Sequence, residues 1–410
     1  MKILQISHRL PFPLIDGGKK GIYGFTSGFH QHPAVKWNGL ISIAPDDERN
    51  VDLTTLQNST DMLSVHYKHT KNRIMDLARN SLLSKLPYTM EKYIFADVLK
   101  TILDTIRQQR VDLVHFDHLH TAYYAMKVRE SFPDVKIVLR EHNVESTILE
   151  RLAQTSKNPA NRAVYALQAK RLQTYEADHL ARFDLVLPIT DVDTSRVCSL
   201  TPTAQVLTLP AGSDVPERQL RQVKSDKDVL TVLHIAAMDW IPNQDGLRWF
   251  LREVLPLLEK AVALPFKLHV VGKNMPKEFL DFRHPLVVVH GFVDDLTPLL
   301  KEADLAVVPL HVGGGMRVKI LDYMANGIPV VSTSVGAEGI TGGDTPFILI
   351  GDGVEGFASA TANLLSNPTL REQLRNRAFD EAKSRYTWAA IVDRLVAIYA
   401  DLIKGNAVAA

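Results

Sequence analysis

The sequence predicts two doubly wound α/β domains, each built on a parallel β-sheet. Three observations support this fold class: short runs rich in Val, Ile and Leu recur along the chain, helical stretches separate them, and a polar linker divides them into two sets. Continuous rather than alternating apolar runs indicate strands that are covered on both faces, as strands in parallel sheets are. A chain of 410 residues is also too long for one ordinary core.

The candidate strands fall into two groups. In the first half they are MKILQIS, WNGLISIA, VDLVHFDH, VKIVLREHN and FDLVLPIT. In the second half they are LTVLHIAAM, FKLHVVGK, PLVVVHGFV, ADLAVVPL, IPVVSTS and PFILIGD. Because both halves repeat the same alternation of strand and helix, we expect two separate sheets of the same kind.

The domain boundaries follow from composition. Residues 210–229, PAGSDVPERQLRQVKSDKDV, are polar and charged and contain two prolines, which is typical of a linker. We therefore expect a first domain over 1–214 and a second over 215–384. Residues 385–410 carry apolar side chains at helical spacing from Trp388 to Leu402, and Gly405 follows as a stop. This pattern predicts a docked C-terminal helix.

Composition also limits the functional classes. The chain has 47 Lys and Arg against 46 Asp and Glu, a formal charge of +1, so no overall field favours nucleic acid. A single cysteine, Cys198, excludes an internal disulfide framework and a cysteine metal cluster, and it favours the reducing cytoplasm. No apolar run is long enough to predict a membrane span, and the first residues do not resemble a secretory signal.

Ligands of open parallel sheets bind beyond the carboxyl ends of the strands. The polar or glycine-rich stretches that follow predicted strands are Gly17 and Gly18 after the first strand, His142 and Asn143 after VKIVLRE, and Gly313, Gly314 and Gly315 after ADLAVVPL. We therefore expect a binding site at these edges.

The stretch HVGGGMRVKILDYMANG is the most informative of the three. Its glycines precede a predicted helix that closes at Gly327, and free N–H groups at a helix start bind anions. Arg317 and Lys319 add two cations where an isolated helix would prefer acids, which favours a bound phosphate. Asp322 follows, where its carboxylate could accept hydrogen bonds from a ribose. The alternative is a tight turn followed by a solvated helix face.

The stretch GGGMRVKILDYMANGIPVVSTSVGAEGI resembles the donor-binding region of retaining family 4 glycosyltransferases of the GT-B fold, also called group 1 glycosyltransferases, and the resemblance covers essentially the whole chain. It implies two Rossmann-like domains that face a central cleft, with a C-terminal helix that crosses back to the first domain. The donor-binding residues that it implies are Gly17, Gly18, Trp240, Asn243, Gly313, Gly314, Gly315, Met316, Arg317, Lys319 and Asp322.

Two positions depart from the family pattern. Relatives usually carry two Glu residues separated by seven positions; here the second acid falls on Asp322, but the first falls on Gly314. Many relatives also carry cations for the donor diphosphate in the loop where this chain has Ala237 and Met238. We expect Arg317 and Lys319 to replace them. For Trp240 and Asn243, a packed loop at a helix start remains an equal alternative to donor binding.

His142 matches the active-site histidine of the family. The alternative is an ordinary buried polar side chain, but its place at a strand end between Glu141 and Asn143 favours function. In a retaining transfer, we expect His142 to position the donor sugar and stabilise developing charge. Residues expected on the acceptor side are Asp117, His118, His120 and Asn143. The resemblance implies neither a metal nor a cofactor.

Residues 66–92 carry six Lys or Arg and two Asp or Glu, a local charge of +4. This segment either contacts anionic lipid or is a solvated helix face.

The sequence thus predicts a cytoplasmic, metal-independent, retaining hexosyltransferase of polysaccharide biosynthesis. Its donor would be a nucleotide-diphosphate sugar, with UDP-sugars favoured over GDP-sugars, and its acceptor a glycan or a lipid-linked sugar. Two other classes remain open: a GT-B nucleotide-sugar epimerase, which uses no acceptor, and a non-catalytic nucleotide-sugar binding protein, which the missing acid at Gly314 would favour.

Overall fold

The computed structural model describes residues 1–14, 17–156, 158–215, 228–313, 316–340 and 346–406. The chain divides into two compact units, one formed by Met1–Ala211 with Trp388–Ala410 and the other by Gly212–Thr387. Each unit contains one six-stranded sheet, in which every strand pairing is parallel. Most of the expected linker, residues 216–227, lies outside the described residues. No helix in the described ranges is long and apolar enough to cross a membrane.

The first unit has the strand order β3-β2-β1-β4-β5-β6. Its strands are β1 (Lys2–Ser7), β2 (Trp37–Pro45), β3 (Met62–Lys68), β4 (Leu113–Asp117), β5 (Lys136–Glu141) and β6 (Leu185–Pro188). Its helices are α1 (Gly17–Gln31), α2 (Thr54–Gln57), α3 (Ile74–Leu83), α4 (Tyr88–Glu91), α5 (Ala96–Gln109), α6 (Ala122–Ser131), α7 (Glu145–Thr155), α8 (Pro159–Leu180) and α9 (Asp191–Leu200).

The five strands predicted in the first half are present, but β3 was not predicted. All its residues are half-buried, because β3 is an edge strand. Its sequence MLSVHYK therefore lacks the continuous apolar run by which the other strands were recognised. The basic segment 66–92 is consequently not one helix face, since its first residues, His66–Lys68, belong to this strand.

The second unit has the strand order β12-β11-β10-β7-β8-β9, and all six of its predicted strands are present. In chain order its elements are β7 (Leu230–Ile235), α10 (Ile241–Trp249), α11 (Leu255–Ala261), β8 (Phe266–Val271), α12 (Lys277–Leu280), β9 (Val287–Gly291), α13 (Thr297–Glu302), β10 (Leu305–Val308), α14 (Val318–Ala325), β11 (Val330–Ser332), β12 (Ile348–Ile350), α15 (Gly353–Ser366) and α16 (Pro368–Arg385).

The last helix, α17 (Trp388–Lys404), packs in the first unit. Its apolar stripe joins the core formed by α1 and one face of the first sheet, as the resemblance implied. Two glycines of α1 allow the close approach: a Cβ atom on Gly24 would lie 2.3 Å from the ring of Trp388, and one on Gly28 would lie 2.4 Å from Val392. The helix ends before Gly405, which has a φ of +77°.

Candidate functional site

The first candidate region lies at the carboxyl edge of the first sheet. Strands β1, β4 and β5 are neighbours, so the segments that follow them meet at one edge. The chain runs from β1 to one side through β2 and to the other through β4, and this change of direction is where doubly wound sheets bind ligands. Four histidines follow these strands, namely His8, His118, His120 and His142.

His142 is held by contacts on several sides. Its ring stacks on His118 with 3.8 Å between centroids and 7° between planes. Its Nε2 lies 3.6 Å from Asp117 Oδ1, and a Cβ atom on Gly21 of α1 would lie 3.0 Å from its Cε1. The imidazole therefore has a fixed orientation before any ligand binds.

A buried polar chain supports this orientation. The Gln5 side chain donates a 2.7 Å hydrogen bond to Asp117 Oδ2, and His115 Nε2 lies 3.4 Å from Asp117 Oδ1. On its other side, His115 Nδ1 is hydrogen-bonded to the hydroxyl of Tyr399. Tyr399 belongs to α17, so the C-terminal helix contributes directly to the support of the site.

The histidines of this edge are neutral. Burial lowers the pKa of His142, although the carboxylate of Asp117 acts in the opposite sense. Burial also lowers the pKa of His118 and His8 and brings that of His120 to about 3. Burial opposes ionisation of Asp117, but His115 and His142 outweigh it and lower the pKa of Asp117. The first unit thus presents uncharged imidazoles backed by one buried carboxylate.

The predicted acceptor-side residues occupy different positions at this edge. Asp117 has no exposed surface, so it faces its buried neighbours. His118 has a φ of +68° and turns the chain out of β4, and His120 stacks on His8 with 4.3 Å between ring centroids. Asn143 is half-buried just after β5. His8 was missed, although the rule that selected His142 also applies to it, since it directly follows β1.

Gly17 and Gly18 are the first residues of α1 rather than part of a loop. Lys19, next along the helix, is 3% exposed and forms a 2.9 Å ion pair with Glu48. The backbone N–H groups at the start of α1 are therefore the groups through which Gly17 and Gly18 could bind an anion.

The second candidate region lies at the carboxyl edge of the second sheet, after β10. Here α14 begins at Val318, with Arg317 as its N-cap at φ −86° and ψ 88°. Gly313 therefore does not lie directly at the helix start, because α14 begins five residues later and the backbone of Arg317 is not yet helical. Gly314 and Gly315 lie outside the described residues. The predicted stop is confirmed, since Gly327 has a φ of +63°.

Arg317 is nearly buried against Gly313 and Trp240. Its guanidinium carbon lies 5.6 Å from the centre of the Trp240 ring, and the side chain is 7% exposed. A Cβ atom on Gly313 would lie 2.2 Å from Arg317 Nη2 and 3.1 Å from the Trp240 ring. Any side chain at position 313 would displace this cation, so the glycine and the arginine form one local arrangement.

Lys319 lies close to Arg317 in the first turn of α14. Its Nζ donates a 3.2 Å hydrogen bond to Asn243 Oδ1. Burial, together with the positive charge of Arg317, lowers the pKa of Lys319 to about 7. Among the described residues, no carboxylate forms an ion pair with Lys319. An anion bound here would relieve the repulsion between the two cations.

The remaining predicted donor residues also have structural roles. Trp240 is the N-cap of α10 and Asn243 lies in its first turn, which agrees with the helix-start alternative. Asn243 Nδ2 donates a 2.8 Å hydrogen bond to the carbonyl of Ala237. Met316 is buried. Asp322 accepts a 2.9 Å hydrogen bond from the hydroxyl of Ser213, a contact that sequence patterns did not indicate.

Within the described ranges, no group of three or more His, Cys, Asp or Glu side chains is arranged to hold a metal ion.

Known proteins resemble this chain in sequence over part of its length. Residues 230–367 match the family model described as "Glycosyl transferases group 1". An uncharacterized 44.6 kDa protein in the cps region of Klebsiella pneumoniae is 22% identical over 258 residues, which is 61% of this chain and 64% of the relative. A D-inositol 3-phosphate glycosyltransferase of Corynebacterium diphtheriae is 28% identical over 125 residues, 30% of this chain and 27% of that protein. Each match thus spans less than two thirds of the relative.

Solved structures resemble this chain in fold over nearly its full length. Sucrose-phosphate synthase from Thermosynechococcus elongatus has a TM-score of 0.72 at 14% identity and covers 99% of this chain and 100% of its own. Anabaena HepE in complex with UDP has a TM-score of 0.64 at 13% identity and covers 98% of this chain and 100% of its own. Identities this low show the fold alone. The chain therefore has the GT-B fold and carries a group 1 glycosyltransferase domain over residues 230–367.

Proposed function

We propose that this protein is a retaining hexosyltransferase that moves a sugar from a UDP-sugar, rather than a GDP-sugar, to a glycan or lipid-linked acceptor. The observation that carries the proposal is the pair of cations at the start of α14. Arg317 and Lys319 lie close enough for the charge of Arg317 to depress the pKa of Lys319, and Gly313 leaves room for the Arg317 guanidinium beside its backbone. A diphosphate supplies negative charge that balances both cations, and its oxygens accept hydrogen bonds from both side chains.

The comparisons support the donor assignment. The matched domain contains both cations together with Trp240, Asn243 and Asp322, and HepE is similar in fold and was crystallised with UDP. We assign the diphosphate to Arg317, Lys319 and Gly313, and the ribose to Asp322. The Ser213 hydroxyl donates to Oδ1 of Asp322, so a ribose hydroxyl would share that carboxylate with the serine or replace it.

We assign the transition state to His142. A neutral imidazole whose orientation is fixed by His118 and Asp117 is suited to positioning the donor sugar and stabilising charge that develops during transfer. The leaving diphosphate would accept the proton of the acceptor hydroxyl. His118, His120 and Asn143 remain proposed acceptor contacts, whereas Asp117 acts through His142 because it is fully buried.

The proposal includes four further points. Catalysis needs no metal, because the cations of α14 supply the counter-charge, and no cofactor takes part. The reaction belongs to polysaccharide biosynthesis in the cytoplasm. Segment 66–92 makes a peripheral contact with the membrane.

The test is transfer from radiolabelled UDP-sugars and GDP-sugars, with and without glycan and lipid-extract acceptors, in the presence of a chelator. The expected result is acceptor-dependent release of UDP that the chelator does not reduce. Conversion of the donor alone into another nucleotide sugar would identify an epimerase. Tight UDP-sugar binding without turnover on any acceptor would identify a binding protein, and a requirement for magnesium or manganese would refute the assignment to Arg317 and Lys319.

A further inference from the structure

Helix α3 exposes three large apolar side chains and buries a polar one. Met75, Leu82 and Leu83 are 83%, 83% and 80% exposed, while Asn80 of the same helix is 4% exposed. A surface helix ordinarily shows the opposite arrangement, with its apolar side facing the core. Large apolar side chains at this level of exposure, clustered on one helix, mark an interaction surface.

The orientation of α3 is imposed by hydrogen bonds to its neighbours. Asn80 donates to the carbonyl of Leu86 at 3.0 Å and accepts at Oδ1 from Gln168 at 3.0 Å and from Arg171 at 3.1 Å. Arg171 also donates to the carbonyl of Ser81 at 2.9 Å. Gln168 and Arg171 belong to α8. Rotating the apolar side inward would break this network and leave buried polar groups unpaired.

The exposed side of α3 also carries positive charge. Met75, Arg79 and Leu82 lie four and three residues apart, so they share one side of the helix, and Leu83 lies beside them. Within 71–85 the exposed basic residues are Lys71, Arg73, Arg79 and Lys85, against a single exposed acid, Asp76; Lys71 is paired with Asp47. Among the described residues, neither Arg79 nor Lys85 forms an ion pair.

We propose that the surface formed by Met75, Leu82, Leu83, Arg79 and Lys85, here called the α3 surface, docks on an anionic phospholipid bilayer. The three apolar side chains would enter the boundary between headgroups and acyl chains, and the cations would contact the headgroup phosphates. A neutral protein partner would leave the excess of cations without a counterpart. This inference rests on the membrane contact in the proposed function and narrows it from segment 66–92 to one face of α3.

The test is co-sedimentation of the full chain with vesicles of equal parts phosphatidylglycerol and phosphatidylcholine, compared with vesicles of phosphatidylcholine alone. We expect binding to the anionic vesicles that weakens with added salt. Replacing Met75, Leu82 and Leu83 with Ser should reduce partitioning about tenfold or more. Changing Arg79 and Lys85 to Gln should reduce it about tenfold at low salt. All five side chains are exposed, so these variants should fold normally.

The matched control replaces three exposed apolar residues of the second unit, Leu264, Phe292 and Ile350, with Ser, and it should bind vesicles like the unchanged protein. Equal binding to both kinds of vesicle, or no loss in the α3 variants, would overturn the proposal. So would concentration-dependent self-association that the Ser variants abolish, because the occupant would then be a second copy. Since the assay uses no nucleotide sugar, its failure is distinguishable from a failure of the proposed transfer reaction.

Discussion

The carboxyl edges of the two sheets have the same topology but different electrostatics. In the first unit the edge carries neutral imidazoles, and its one buried carboxylate, Asp117, lies against Gln5, His115 and His142. In the second unit the edge concentrates positive charge, since Arg317, the N-cap of α14, and Lys319, in its first turn, repel each other. Contacts within the first unit hold the first edge in place, whereas an anion at the second edge would relieve the repulsion between its two cations.

Because of this difference, we expect the two edges to contribute differently to the proposed reaction. A preorganised neutral site costs little to rearrange during reaction and is suited to stabilising a transition state. A site with excess charge of one sign gains most from binding an oppositely charged group, so its contribution lies in ground-state affinity. Substitutions in the two edges should therefore change different kinetic quantities, and the following predictions use that separation.

The largest effect is expected at the first edge. His142→Ala should lower turnover about a hundredfold or more while the dissociation constant of UDP changes little, because the contact is made mainly in the transition state. Steady-state kinetics with calorimetric titration of UDP measures both quantities. His30→Ala, at an exposed histidine of the same unit, is the control. If His142→Ala weakened UDP binding in proportion to turnover, the separation between the two edges would not hold.

Sequence patterns identified most of this architecture for clear physical reasons. Eleven strands were recognised because strands buried on both faces have continuous apolar runs, and the half-buried edge strand β3 was missed because it has none. His142, Arg317 and Lys319 were selected as candidates because they follow strand ends, and their roles stay predictions. Gln5, His115 and Tyr399 were not, because they lie within elements and become partners of Asp117 only through long-range packing.

At the second edge, each cation should contribute to diphosphate affinity alone. Charge-assisted contacts are worth about 1.5–3 kcal/mol, so Arg317→Met and Lys319→Met should each weaken UDP binding about ten- to a hundredfold and leave uridine binding nearly unchanged. Asp322→Asn should instead weaken both ligands, because its proposed partner is the ribose. Calorimetric titration at fixed salt measures these affinities, with the exposed Lys301→Met as control. Equal losses for uridine and UDP would mean that the cations only support the fold.

The pH dependence of UDP binding provides a smaller test of the same edge. Lys319 in the free protein has a pKa of about 7, and a bound diphosphate should raise that pKa. The contribution of Lys319 to UDP affinity should therefore be full below about pH 7 and fall by up to about tenfold for each pH unit above it, because the free lysine loses its proton while the complex retains it. Lys319→Met should show only the titration of UDP itself. Parallel pH profiles for both proteins would mean that Lys319 does not contact the phosphates.

The smallest expected effect concerns another ionisable side chain at the first edge, Glu141, and tests whether its carboxyl is protonated in the folded protein. Glu141, just before His142, is 2% exposed, and its carboxyl has no hydrogen-bond partner among the described residues. Burial, reinforced by the nearby acids Glu145, Glu176 and Asp193, raises its pKa well above 4.5. The folded protein therefore keeps this proton over a range of pH in which the unfolded chain has lost it. Stability from this group is full below about pH 4.5 and declines as the pH rises, by about 1.4 kcal/mol per pH unit, until the folded carboxyl ionises.

Glu141→Gln should remove the loss of folding stability that Glu141 causes as the pH rises, because the amide is uncharged at every pH. The variant should therefore unfold at a temperature a few degrees above that of the unchanged protein at about pH 8, and at a similar temperature near pH 4.5. Thermal unfolding followed across this range measures the difference, with Glu130→Gln at an exposed position of the same unit as control. Because Glu145 and Glu176, with pKa values of about 8 and 7, remain in the variant, some decline with pH should persist. If the difference between Glu141→Gln and the unchanged protein did not grow with pH, Glu141 would be ionised in the folded state. The first edge would then contain a second buried negative charge besides that of Asp117, and its contrast with the cationic second edge would rest on the histidines alone.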